Sequence, residues 1–264
     1  MAWLHIHYNS EILRMPVAME VLLPQHVAGG SRIINDPGPY QTLYLLHGMT
    51  EDQTIWMRRT SIERYVEGLP LAVVMPAGHL GWYTDMKYGR DYFSFITDEL
   101  PKICERMFPL SSSREDRFIA GLSMGGYGAM KAGLAAPDTY CAAASFSGAM
   151  DVLEIYDGLD EAEKAAFDDI FGSKDEFRGS VNDLFASAER LAKTSDKSPE
   201  LYMWCGTEDF LYNGNLRFKD HIKKLGLPLT FEEGPGDHQW KYWDECIKRT
   251  LDWLPLRKDT KGGI

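Results

Sequence analysis

Cysteine is scarce in this chain. Four residues in 264, Cys104, Cys141, Cys205 and Cys246, lie far apart with no Cys-x-x-Cys pair. That spacing speaks against a disulfide framework and against a zinc site, and it leaves four buried free thiols as the expectation. Positive charge is short as well: 28 Lys and Arg face 39 Asp and Glu, for a net charge of −11. Such a balance disfavours nucleic acid and anionic membrane as partners and suits neutral or cationic small ligands. No stretch approaches 18 consecutive apolar residues, so no transmembrane helix is expected. The N-terminal stretch MAWLHIHYNSEILRMPVAMEVLLPQ lacks a basic segment followed by an apolar core, and reads as strands rather than a signal peptide. Internal repeats and low-complexity segments are missing too. A cytoplasmic location follows as the expectation.

What the chain does have is the composition of an ordinary globule, 44% hydrophobic and 25% charged. Its length suits one large domain, residues 1–264, or one domain with an insertion. Leu4–Tyr8 and Met15–Leu22 read as an antiparallel hairpin at a sheet edge. Loop signals follow at Gly29-Gly30 and at Asp36-Pro37-Gly38-Pro39. The apolar runs Leu43–Leu46, 71–76, 117–122, 141–148 and 200–206 suit strands buried on both faces of a parallel sheet. Between them lie helical patterns over Arg58–Glu67, Tyr92–Phe108, Gly125–Ala136, Asn215–Leu225 and Trp240–Leu254, with Pro101 either kinking the second or sitting in the first turn of another helix. The alternation predicts an α/β fold with a mostly parallel central sheet and helices on both faces. Met150 to Pro199 breaks the rhythm. It offers about fifty residues with no strand signal, where a crossover needs about a dozen. This region, about 150–199, is either a larger crossover with surface helices or a small cap over the strand ends.

The stretch IAGLSMGGYGAM carries Ser123 at the spacing Gly-x-Ser-x-Gly, after an apolar run and before a helical pattern. That is the strand–turn–helix context of a nucleophile elbow. A base is then expected late in the chain. Of the seven histidines only His221 and His238 follow Ser123. His221 falls within an amphipathic helix, whereas His238 lies in the glycine-rich loop EEGPGDHQW after a strand. The acid should lie between serine and base at a strand's end, which selects Asp209 in CGTEDFLY, with Glu208 as close competitor and Asp237 less favoured. An oxyanion site needs two backbone N–H groups. Met124 supplies one, and Met49, in the loop LLHGMTEDQTIW, supplies the second. His47 reads as a structural histidine that fixes this loop.

The segments LYLLHGMTEDQTIW, VVMPAGHLGWYTDM, DYFSFITDELPKICERMFP, FIAGLSMGGYGAMKAGL, ASFSGAMD, CGTEDFLY and GDHQWKYWDECI together resemble the esterase D / tributyrin-esterase-like group of α/β-hydrolase-fold serine esterases. That group is similar to bacterial feruloyl and acetyl-xylan esterases and to S-formylglutathione hydrolases. The resemblance runs from about residue 4 to 254. It implies an α/β-hydrolase fold, with Ser123 as nucleophile, His238 as base, Asp209 as acid and Met49 and Met124 as oxyanion donors. No metal or other cofactor is implied.

The expected activity is hydrolysis of short-chain acyl esters through an acyl-enzyme, with acetyl or feruloyl groups on plant-derived carbohydrates as the substrate class. Candidates for the pocket wall are Trp82, Tyr83, Met150, Phe210, Leu211 and Trp240. The partner is thus a small-molecule ester such as an acylated oligosaccharide, and exposed aromatics with an edge hairpin permit a homodimer. An S-formylglutathione hydrolase or other thioesterase is one alternative, although the loop HGMTEDQT lacks the cysteine that subtype tends to carry. An acyltransferase to a sugar or alcohol is another. A non-catalytic module with this fold would normally lack part of the triad.

Overall fold

The computed structural model describes residues 1–25, 38–194 and 197–257. Eight strands form one sheet: β1 Ala2–Ser10, β2 Met15–Leu23, β3 Gln41–Leu46, β4 Leu71–Pro76, β5 Arg117–Leu122, β6 Ala142–Phe146, β7 Glu200–Gly206 and β8 Leu229–Gly234. Their spatial order is β1-β2-β4-β3-β5-β6-β7-β8. The first two pair antiparallel, from Ala2 opposite Leu23 to Ser10 opposite Met15. β2 meets β4 antiparallel, and every later pairing is parallel. This is the mostly parallel sheet of an α/β-hydrolase fold with an N-terminal hairpin at one edge. The loop signals at Gly29-Gly30 and Asp36-Pro37 lie outside the described residues.

Burial explains why the strands read as they do. β3, β4 and β6 are buried at every residue, so their sequences are unbroken apolar or small-residue runs. Tyr44, Leu46, Ala72 and Val74 face one core while Leu43, Leu45, Val73 and Met75 face the other. Each fully buried aliphatic side chain here contributes roughly 1.5–3 kcal/mol. β1, at the edge, instead alternates exposed Trp3, His5 and His7 with partly buried Leu4, Ile6 and Tyr8.

Helices cover both faces. On one side lie α1 Ile55–Arg59, α2 Ile62–Val66 and, at the chain's end, α11 Trp240–Trp253. On the other lie α3 Tyr92–Ser94, α4 Leu100–Met107, α5 Met124–Ala135 and α10 Tyr212–Leu225. The single helix expected over Arg58–Glu67 is two short ones. Thr60 between them is extended, with its hydroxyl donating to the Trp56 carbonyl at 2.6 Å, a local side-chain bond that competes with helix propagation. Pro101 sits in the first turn of α4, where a missing N–H costs least; a π-helical stretch, Phe95–Glu99, joins it to α3.

Between β6 and β7 the chain forms α6 Val152–Asp157, α7 Glu161–Phe171, α8 Lys174–Phe177 and α9 Leu184–Thr194. Reciprocal capping boxes, Asp160 with Glu163 and Ser173 with Glu176, start α7 and α8. The end of α7 docks on the loop after β4, where the N–H groups of Lys87 and Tyr88 donate to the carbonyls of Ile170 and Asp169, each at 2.8 Å. Cys104, Cys205 and Cys246 are buried and Cys141 is partly buried, all as free thiols. No helix among the described residues is long and apolar enough to cross a membrane.

Candidate active site

β5 ends at Leu122 and α5 begins at Met124, so Ser123 alone makes the turn from sheet to helix. Its backbone has φ +51° and ψ −118°, a region that costs an L-residue about 1–3 kcal/mol. Three bonds over-determine it. Its N–H donates to the Phe146 carbonyl at 2.9 Å, and its carbonyl accepts from Tyr127 N–H at 3.0 Å and Ala149 N–H at 3.3 Å. The flanking glycines are steric necessities. A Cβ on Gly125 would stand 2.6 Å from the carbonyl oxygens of both Leu46 and His47. The start of α5 therefore lies against the end of β3, and Ser123 sits at the positive end of a twelve-residue helix. Met124, the first helical residue, carries one of the N–H groups that have no intrahelical partner.

The loop after β3 is clamped on three sides. His47 Nε2 accepts from Gly78 N–H at 2.8 Å, which leaves the proton on Nδ1 to donate to the Gly48 carbonyl at 2.7 Å. Burial pushes this imidazole down to about 4, so it is neutral at physiological pH. The Tyr83 hydroxyl donates to the His47 carbonyl at 3.1 Å. Gly48 N–H donates to Glu51 at 2.9 Å, and Thr50 has φ +64°. Met49, half of whose surface is exposed, presents its backbone between these anchors.

Asp209 and His238 come together from the carboxyl ends of neighbouring strands β7 and β8. His238 Nδ1–H donates to Asp209 Oδ2 at 2.9 Å, since a carboxylate can only accept, and Nε2 is then the unprotonated nitrogen. The Asp209 carboxylate is buried. Burial alone would raise its pKa. The bonds from His238 and from Leu211 N–H at 2.9 Å outweigh that and hold it below the ordinary carboxylate value. Glu208 turns the other way: it is exposed and accepts from Gly236 N–H and the Thr207 hydroxyl, bracing the loop that carries His238. Asp237 is exposed, and His221 of α10 stands 3.7 Å from Glu189 of α9. Among the described residues, no hydrogen bond joins His238 to Ser123 Oγ. Such bonds often tighten only when substrate arrives.

The structure redraws the expected pocket wall. Tyr83 is fully buried behind the loop, which leaves its ring no face for a ligand. Trp82 is also buried, its indole packed edge-on against Tyr127, Phe167 and Phe171 at 5.2–5.8 Å, so it holds the α6–α9 region to α5. Both residues have positive φ, +49° and +48°, and that backbone turns the two rings inward. Met150 and Leu211 are buried, Met150 packing on Gly148. Trp240 spends its indole N–H on Glu51 at 2.8 Å. Phe210 remains open, 75% exposed, with its ring centroid 4.7 Å from that of His238.

Two ionisable groups, one half-buried and one buried, escaped sequence reasoning. Glu51 accepts from donors 3 and 189 positions away; a carboxylate in a loop gives no hint of such partners. Lys131 lies wholly buried in α5. It donates to Thr84 Oγ1 and, at 2.6 Å, to Asn182 Oδ1, and stands 4.6 Å over the Phe93 ring. Burial lowers its pKa to about 7. The described residues contain no group of three or more His, Cys, Asp or Glu side chains able to hold a metal ion.

Known proteins resemble this chain in sequence and in fold. The family described as "Putative esterase" matches residues 10–254. An acetyl esterase of Caldicellulosiruptor saccharolyticus is 29% identical over 98% of this chain and all of its own length. The substrate-bound fluorophosphonate-binding serine hydrolase F of Staphylococcus aureus is 36% identical, covers 96% of this chain and 98% of its own, and superposes with a TM-score of 0.86. A structure titled as an S-formylglutathione hydrolase, also from Staphylococcus aureus, is 36% identical with the same coverage and a TM-score of 0.84.

Proposed function

Because this chain belongs to the esterase family, we propose that its carboxylesterase activity is carried by Ser123, His238 and Asp209, with the N–H groups of Met49 and Met124 as oxyanion donors. The observation that carries the reading is the Asp209–His238 bond in the loops after β7 and β8, at the same carboxyl edge of the sheet as the strained turn at Ser123 after β5. His238 Nε2 takes the Ser123 hydroxyl proton as Oγ bonds to the ester carbonyl carbon. The oxyanion so formed is stabilised by Met49 and Met124 N–H. As the tetrahedral species collapses, the carbon–alkoxy bond breaks and His238 gives its proton to the departing alcohol. Water then attacks the acyl-serine by the same route and releases acid and enzyme. Asp209 fixes the imidazole tautomer and stabilises the imidazolium.

The preferred acyl group is short, in our reading acetyl. Met150 packs on Gly148, where a Cβ would stand 2.3 Å from its Cε, and the intervening Ala149 N–H donates to the Ser123 carbonyl. Phe210 and Met49, in the loops of the proposed acid and oxyanion donor, are exposed apolar residues that an alcohol group can meet. The acetyl esterase relative supports the same class. Acetylated oligosaccharides and feruloyl esters belong to the panel that tests it, with S-formylglutathione and p-nitrophenyl esters of two to eight carbons. The expected ranking puts acetyl esters highest in kcat/KM. Ser123→Ala should abolish turnover while far-UV dichroism is unchanged; activity surviving in that variant refutes the assignment.

A second reading, thioester hydrolysis, is favoured by the 36% identity to the structure titled as an S-formylglutathione hydrolase. A kcat/KM for S-formylglutathione at least tenfold above that for every oxygen ester would establish it, and would keep the same serine chemistry.

A further inference from the structure

The carboxylate of Glu51 lies between the loop after β3 and the first residue of α11. Oε2 accepts from Gly48 N–H at 2.9 Å and Oε1 accepts from Trp240 Nε1–H at 2.8 Å. Gly48 immediately precedes Met49, and Trp240 comes two residues after His238. The Trp240 indole packs edge-on against Trp56 and Trp243 at 5.0 and 5.4 Å, and Trp243 lies edge-on to the His238 ring at 4.8 Å. One side chain thus fastens the segment of the proposed oxyanion donor to the segment of the proposed base. We infer that Glu51 is a positioning residue that couples the Met49 and His238 loops, and that the coupling requires its ionised form. This rests on the proposed roles of Met49 and His238.

The requirement for charge follows from the partners. A backbone amide and an indole N–H are donors only. Each carboxylate oxygen meets one of them, and a protonated oxygen is a much weaker acceptor than a charged one, so protonation weakens one of the two bonds. Burial raises the pKa of this half-buried group, opposed by its two hydrogen bonds and by the positive charges that face it, Arg59 of α1 and protonated His238. Acid therefore loosens the hold on one of the two loops.

The test compares Glu51→Gln and Trp240→Phe with the parent enzyme and with Ser123→Ala, using p-nitrophenyl acetate. Glu51→Gln keeps the shape but presents an amide N–H to one of two donors. A misplaced oxyanion donor costs up to a hundredfold or more in kcat, so kcat should fall about 10–100-fold while KM stays within about threefold. The acid limb of kcat/KM should steepen beyond one proton in the parent and fall with the slope of one proton in Glu51→Gln. Trp240→Phe removes a donor that favours the carboxylate, so its acid limb should move to higher pH. Parent-like kcat and acid limb in Glu51→Gln, with Ser123→Ala inactive, overturn the inference alone. If Glu51→Gln does not fold, an unmoved acid limb in Trp240→Phe overturns it. Activity in Ser123→Ala would instead remove the site assignment, and this inference with it.

Discussion

A Cβ on Gly121 would stand 2.5 Å from both the carbonyl carbon and oxygen of Gly125. The two glycines of the Gly-x-Ser-x-Gly stretch are thus packed backbone to backbone across the serine turn. Neither side has a flexible side chain that could yield. Gly121→Ala should therefore destabilise by about 2 kcal/mol or more, above the middle of the range for overpacking because backbone must move. Esterase activity should fall with it. Gly158→Ala is the control: its backbone is helical at φ −89° and the nearest atom would be 3.5 Å away, so it should be neutral or stabilising by up to about 1 kcal/mol. Urea midpoints of the two variants decide the matter.

The two neighbouring acids, Glu208 and Asp209, face opposite partners. Asp209 holds the imidazole, while Glu208 holds the backbone of Gly236. Asp209→Asn should cost about 10³–10⁴ in kcat, since an amide no longer enforces the tautomer with Nε2 free. Glu208→Gln keeps an acceptor for Gly236 N–H and should stay within about tenfold of the parent. Equal losses in the two variants would remove the distinction drawn between them.

Lys131 gives stability a dependence on pH. Its pKa is about 7 in the fold against an ordinary 10.5, so between those values the unfolded chain binds more protons than the native one. Stability contributed by this group therefore rises with pH from about 7 upward, by about 1.4 kcal/mol per unit where the difference is a full proton. Below about 7 the full cost of a buried charge is present. Cys104, Cys205 and Cys246, raised by burial from 9.0, oppose the trend above about pH 9. The window is thus pH 7–9, where unfolding free energy of the parent should climb relative to Lys131→Met. Parallel profiles would show that Lys131 keeps its proton throughout.

Legibility in the sequence followed burial and periodicity. β4 and β5 fell on the apolar runs 71–76 and 117–122 because strands covered on both faces leave an unbroken hydrophobic record. Asp209 and His238 could be paired because each follows a strand, and adjacent parallel strands bring their carboxyl ends together. Loops carry no such record. Trp82 and Tyr83 looked like a ligand-facing pair, but their positive φ values direct both rings into the core. The break at Thr60 depended on one side-chain bond to Trp56. Glu51 and Lys131 depend on partners from distant segments, and ordinary loop or helix-surface roles are the default reading for such residues.

A change at Phe210 should separate the binding of the alcohol from the chemistry. Its ring is tilted by 50° over His238 and is 75% exposed, so it covers one side of that imidazole without being part of the core. An exposed aromatic contributes little to folding, and Phe210→Ala should leave the thermal midpoint within about 2 °C. An aromatic leaving group arriving at His238 would meet this ring and gain about 0.5–1.5 kcal/mol from the pair beyond the area it covers. That is a factor of about 2–12 in KM. p-Nitrophenyl acetate should therefore show a several-fold higher KM in Phe210→Ala with kcat changed less than about threefold, while methyl or ethyl acetate, with no ring to stack, should show no change in KM. A loss of kcat shared by aromatic and aliphatic esters would mean instead that Phe210 holds the imidazole in place.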